Sequence, residues 1–118
     1  MVGGIPSTVW ALARGADPLE PTLAAGSILL PGEQRRARLF GAAVPVHLVL
    51  SLGWAAVLAR ARVRTRTGAL AGLAIAAVDL GVAGRAFPRV RALPPAPQIA
   101  DHVAYGATVG YVLARRRR

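Results

Sequence analysis

The sequence has no cysteine, lysine or asparagine, and aromatic residues make up only 5% of its 118 residues. Without cysteine, the chain has no disulfides, no thiolate metal ligands and no cysteine nucleophile. Nucleic-acid-binding proteins usually place basic residues among aromatic ones on a folded face, so the scarcity of aromatics argues against a nucleic-acid partner. The missing lysine and asparagine, beside abundant alanine, glycine, arginine and proline, are typical of a GC-rich bacterial genome.

Acidic residues are also scarce, with five against 15 basic residues, giving a net charge of +10. The chain is nevertheless 54% hydrophobic, with a mean hydropathy of +0.46. Apolar runs alternate with arginine clusters at 35–38, 60–66, 85–91 and 115–118. Membrane spans exclude charge and their connecting loops collect it. The pattern therefore predicts an all-α integral membrane helical bundle.

Three apolar segments are predicted to be transmembrane helices of one membrane domain covering residues 1–118. The segment 39–59 has His47 as its only ionisable residue, and as a helix it would be about 31 Å long, close to the thickness of a bilayer core. The segments 68–84 and 99–114 are shorter. The first carries Asp79, and the second carries Asp101 and His102 in its first turn.

The N-terminal part, residues 7–30, is predicted to form two short helices. Ser7 is a candidate cap for the first helix, which Gly15 would end, and Asp17 for the second. The apolar stretch 22–30 is too short to cross a bilayer unaided. These helices are therefore expected to be interfacial or re-entrant. The chain begins like the tail of an apolar helix, which suggests a further span upstream.

The distribution of arginines predicts the orientation. The protein is predicted to lie in the plasma membrane of a bacterial cell. The loop 60–67 and the C-terminal tail carry more arginine than the loops on the other side, so both are predicted to lie in the cytoplasm. The loop arginines are candidate contacts for anionic lipid headgroups: Arg60, Arg62, Arg64 and Arg66. Alternatively, these arginines only keep the loop on the cytoplasmic side and bind no particular lipid. The proline-rich segment 87–98 is expected to be an extended, semi-rigid connector.

In this topology, four ionisable residues gather in the outer half of the membrane: His47, Asp79, Asp101 and His102. Asp79 shares a stripe of small residues and should face another helix. A contact that fixes helix packing is one interpretation of the cluster. The others are a proton or cation site, a divalent transition metal site, and haem ligation by His47 and His102.

Catalytic motifs are absent: Ser7 and Ser51 have no neighbouring base pattern, and no phosphate-binding glycine loop or metalloprotease motif occurs. We therefore predict a non-enzymatic membrane component without a cofactor, which associates with itself or with a membrane partner. The alternative is a proton- or cation-linked transport element that uses the Asp/His cluster. The two GxxxG matches, GALAG and GATVG, are typical of ordinary helix packing.

The order GIPSTVWALARGADPLEPTLAAG, a histidine-bearing span, and then DLGV, FPRVRALP and ADH.AYG resembles small bacterial multi-pass integral membrane proteins of unknown function. The resemblance covers nearly the whole chain and depends on Ser7, Asp17, Asp79, Asp101 and His102. It implies a membrane fold with a further apolar helix before residue 1. It implies no catalytic role for any residue.

Overall fold

Six helices form the fold of residues 4–117, which are the residues that the computed structural model describes. They are α1 (Ile5–Arg14), α2 (Glu20–Leu29), α3 (Arg36–Arg60), α4 (Thr65–Ala86), α5 (Pro88–Arg91) and α6 (Pro95–Arg116). No strand occurs within this range, so the predicted all-helical class is confirmed. The further helix expected before residue 1 stays a prediction. Residues 1–3 and Arg118 lie outside the described residues.

Two of these helices, α3 and α4, are long and apolar enough to cross a membrane. The apolar stretch of α3 has a mean hydropathy of 1.9 and that of α4 has 1.6. The 25-residue α3 continues through Pro45 and would be about 37 Å long, which exceeds a bilayer core. The 22-residue α6 is as long as α4, but with Gln98, Asp101 and His102 near its start it is less apolar.

Four glycines let α4 and α6 approach each other until their backbones touch. A Cβ added at Gly68 would overlap the Gly106 carbonyl oxygen, and one at Gly72 would overlap the carbonyl oxygen of His102. From the other side, a Cβ at Gly106 would overlap the Gly68 oxygen, and one at Gly110 the oxygen of Arg64. We call these four residues the glycine seam. The two GxxxG segments therefore pack against each other, in antiparallel helices of the same chain.

The α2 helix packs against the beginning of α3, again through a glycine. A Cβ at Gly26 would overlap the backbone carbonyl of Leu39. Leu23 and Leu39, the largest fully buried side chains of the described part, lie in this contact region. The other end of α3 meets α4 and α6 through an apolar cluster around Leu58 and Ile75. The α3 helix is thus held at both ends.

The N-terminal helices begin at different residues from those predicted. The α1 helix starts at Ile5 with Gly4 as its N-cap, so Ser7 lies inside the first turn and is not the cap. Proline lacks an N–H and has a helical φ, so Pro6 is accommodated in the first turn and the helix can begin earlier. Gly15 ends α1 as predicted, with a left-handed φ of 68°. The α2 helix starts at Glu20, after a turn in which Asp17 accepts a hydrogen bond from the Leu19 N–H.

The expectation of an extended connector over 87–98 is wrong. Residues Pro88–Arg91 form the one-turn helix α5, and α6 already begins at Pro95. Both prolines lie in the first turn of their helices, where the missing N–H costs nothing. The chain therefore turns sharply between α4 and α6 and brings the two helices together.

Candidate functional site

Asp79 connects three helices. One carboxylate oxygen, Oδ2, lies 3.2 Å from Nε2 of His102 on α6. The other, Oδ1, accepts a hydrogen bond of 3.2 Å from the Trp54 indole N–H on α3. Both carboxylate oxygens therefore have a hydrogen-bond partner within the described chain. The prediction that Asp79 faces another helix agrees with this geometry.

The imidazole of His102 lies between two oxygen atoms. Its Nδ1 is 2.7 Å from the Gln98 carbonyl oxygen in the preceding turn of α6, and its Nε2 faces Asp79. A neutral imidazole has only one N–H, so the second contact needs a further proton, on the ring or on the carboxylate. In either form Asp79 and His102 together are electrically neutral. A neutral pair lowers the cost of placing both groups in an apolar medium.

Asp101 contacts a different part of the structure from His102, namely the beginning of α1. Its Oδ1 accepts a hydrogen bond of 2.8 Å from the backbone N–H of Ser7. The first N–H groups of a helix have no partner within the helix, and a negative charge there is favoured by the helix dipole. The adjacent residues Asp101 and His102 therefore have different structural roles: one fixes α1, and the other binds α4.

His47 lies apart from these contacts. Its Nδ1 is 2.9 Å from the Ala43 carbonyl oxygen of its own helix. Trp54, through which α3 reaches Asp79, lies seven residues further along the chain, or about 10 Å along the helix axis. Among residues 4–117, no three His, Asp or Glu side chains are close enough to hold a metal ion. The structure thus joins Asp79 with His102 and leaves His47 separate.

Two contacts at this site were not predicted from the sequence. They are the hydrogen bond from the Trp54 indole to Asp79 and the hydrogen bond that the Tyr105 hydroxyl donates to the backbone oxygen of Ser51. Buried indole and phenol groups usually find an acceptor, so a tryptophan and a tyrosine within predicted apolar helices are the signal in the sequence. Together these contacts tie the middle of α3 to both α4 and α6.

The arginine-rich loop and the C-terminal tail lie at one end of the molecule, which we call the basic end. The Arg117 guanidinium donates to the carbonyl oxygens of Arg62 and Val63, at 3.3 and 2.9 Å. Seven of the described arginines belong to this end: Arg60, Arg62, Arg64, Arg66, Arg115, Arg116 and Arg117. A shallow recess of about 380 Å³ opens here, between the first turn of α4 and the last turns of α6.

Ion pairs hold the opposite end together. They are Asp17–Arg36 at 2.9 Å, Glu20–Arg89 at 2.7 Å and Glu33–Arg38 at 3.6 Å. The hydrogen bond from Arg36, with a second one from the Leu19 N–H, lowers the pKa of Asp17. The hydrogen bond to Glu20 raises the pKa of the Arg89 guanidinium. Each of these three acidic residues is thus paired with an arginine at this end.

No protein-family model, curated protein or solved structure matches this chain.

Proposed function

We propose that this chain is a small integral membrane protein in which α3, α4 and α6 span the bilayer. We further propose that it acts as a non-enzymatic component that associates with copies of itself or with another membrane protein. The observation that carries the proposal is the exposure of α3, whose apolar stretch is only 17% buried.

A helix of this hydropathy inside a soluble protein would be a core helix with most of its surface covered. The side of α3 that points away from α4 and α6 instead exposes large apolar side chains. We call this surface, which includes Leu48, Val49 and Leu52, the outer face of α3. Its most exposed member is Val49, at 71%. A continuous apolar surface of this kind requires lipid or another protein against it.

The position of the basic end supports the predicted orientation. In the proposed topology α3 and α6 both end, and α4 begins, at the same side of the membrane. Seven arginines at that side fit the cytoplasmic surface of a bacterial plasma membrane, where anionic headgroups attract them. Arg60, Arg62, Arg64 and Arg66 are then the proposed headgroup contacts.

The first experiment expresses the full chain and extracts membranes with alkaline carbonate, which releases peripheral proteins. We expect the protein to stay in the pellet. Release into the supernatant would contradict the proposal. The mass of the detergent-purified protein then distinguishes self-association from association with a partner. A multiple of 12.2 kDa supports self-association, and a single copy with a stoichiometric second membrane protein supports a partner.

The Asp79–His102 contact favours a second candidate, a proton- or cation-linked transport element. The two side chains lie 3.2 Å apart and remain about one-fifth exposed, at 22% for Asp79 and 21% for His102. The Asp79→Asn variant distinguishes the candidates. A structural contact predicts weaker assembly, whereas a transport site predicts intact assembly with loss of pH- or ion-dependent behaviour in proteoliposomes.

A further inference from the structure

The basic end has no counter-charge within the described chain. All five acidic residues of the sequence lie elsewhere. Asp17, Glu20 and Glu33 pair with arginines at the opposite end, Asp79 faces His102, and Asp101 binds the Ser7 N–H. Seven arginines without an acidic partner raise the local potential and must recruit anions from outside. The question is whether they do so diffusely or at a defined place.

The recess at the basic end concentrates part of this charge. Arg64, which immediately precedes α4, and Arg66, in the first turn of α4, line one side of it, and Arg115 lines it from α6. The guanidinium of Arg115 is held in place, because it donates to the Tyr111 hydroxyl at 2.9 Å and lies 5.7 Å from the centre of that ring. Thr65 adds a hydroxyl group to the same lining, whereas the Thr67 hydroxyl is already hydrogen-bonded to the backbone of Arg64. Guanidinium groups bind phosphate oxygens in a bidentate geometry, and hydroxyls can complete the coordination.

The surface beside the recess is apolar. Leu70, one helical turn after Arg66, is 65% exposed, and Tyr111, one turn before Arg115, is also exposed. Four residues correspond to about 6 Å along the helix axis, so these side chains lie immediately on the membrane side of the guanidinium groups. A ligand that fits both surfaces has an anionic phosphate joined to an apolar chain.

We infer that this recess binds the phosphate of an anionic phospholipid, with an acyl chain lying along Leu70 and Tyr111. The inference rests on the proposed membrane location. The sequence indicated only four loop arginines as headgroup contacts. The inference instead assigns one defined site that both α4 and α6 form. Arg115, in the helix beyond that loop, belongs to the site, whereas Arg60 does not line it.

The test measures lipid binding to the detergent-purified full chain by native mass spectrometry. Phosphatidic acid and phosphatidylcholine are added separately, and inorganic phosphate is added as a competitor. The recess variant is R64Q/R115Q, and the matched control is R60Q/R116Q, which removes the same charge from the same end. We expect the recess variant to bind phosphatidic acid about tenfold more weakly. The control should change the affinity by less than about threefold.

Equal weakening by both variants would overturn the inference, because binding would then follow total charge. Complete displacement of the lipid by millimolar inorganic phosphate would also overturn it, since the acyl chain would then contribute nothing. Helicity and thermal unfolding by circular dichroism verify that both variants fold. Carbonate extraction separates the two proposals: a wild-type protein that stays in the membrane without preferring phosphatidic acid contradicts only the lipid site, and one that is released contradicts the membrane location itself.

Discussion

The glycine seam and the outer face of α3 are both apolar, but they differ in the size of their residues and in what covers them. At the seam, Gly68 and Gly106 remove side chains altogether, and the backbones of α4 and α6 touch. On the outer face of α3, large residues such as Leu48, Val49 and Leu52 project into the surroundings. Gly53, also in α3, has nothing within 4 Å of the position of an added Cβ.

The difference indicates what holds the helices of this small bundle together. In lipid, burying a leucine brings no hydrophobic gain over leaving it in the acyl chains, so close packing of small residues drives helix association. Residue size, and not hydropathy, therefore distinguishes the surface of α4 that meets α6 from the surface of α3 that faces outward. Four substitution experiments follow from the largest expected effect to the smallest. The first two test this distinction, and the last two test polar contacts that hold the N-terminal helices in place.

Replacing Leu39 with alanine should be the most damaging change. Leu39 is fully buried under α2, at 0% exposure, whereas Leu52 in the same helix is 68% exposed. We expect Leu39→Ala to lower the free energy of unfolding by about 2–5 kcal/mol. Leu52→Ala should change it by less than about 0.5 kcal/mol. Unfolding in mixed detergent micelles measures both values, and equal losses would contradict the difference in burial between Leu39 and Leu52.

A methyl group added at the seam should separate α4 from α6. A Cβ at Gly72 overlaps the His102 carbonyl, whereas one at Gly81, nine residues along α4, meets nothing within 4 Å. We expect Gly72→Ala to lower the free energy of unfolding by about 1–3 kcal/mol. Gly81→Ala should be neutral or should stabilise by up to about 1 kcal/mol, because alanine is the better helix former. The same unfolding assay applies, and a tolerated Gly72→Ala would contradict the seam.

The attachment of α1 to the α4–α6 pair depends on Asp101. Asp101→Ala leaves the Ser7 N–H without its acceptor, and we expect a loss of about 1–2 kcal/mol. Asp101→Asn keeps an acceptor and should lose less. Limited trypsin digestion after Arg14 in α1 reports the local release, and cleavage should be fastest in the alanine variant. Unchanged cleavage in both variants would rule out this attachment.

The smallest effect should be the pH dependence of the Asp17–Arg36 pair. Because the pKa of Asp17 is lower in the folded protein than in the unfolded chain, the pair stabilises the fold at neutral pH, and this contribution is lost as the pH falls through the folded pKa. The stability difference between wild type and Asp17→Asn should therefore be present at pH 7 and should shrink progressively as the pH falls below about 4. A difference that does not shrink under acid conditions would assign it to something other than this charge.

Periodicity predicted much of this arrangement. The stripe of small residues that includes Gly68, Gly72 and Asp79 follows from 3.6 residues per turn, and it does face α6. The partner of Asp101 could not be predicted, because it is a backbone N–H and every residue except proline has one. The α5 helix was missed because a dense run of prolines resembles an extended segment, although Pro88 suits a first helical turn.

The most direct test of the membrane account uses the absence of cysteine. Ala61→Cys, after α3, and Ala92→Cys, after α5, place single exposed thiols at opposite ends of α4. Intact cells are treated with a membrane-impermeant thiol reagent before and after permeabilisation. The account predicts that Cys at position 92 reacts in intact cells and Cys at position 61 reacts only after permeabilisation. If both positions react from the same side, α4 does not cross the membrane, and the account is wrong.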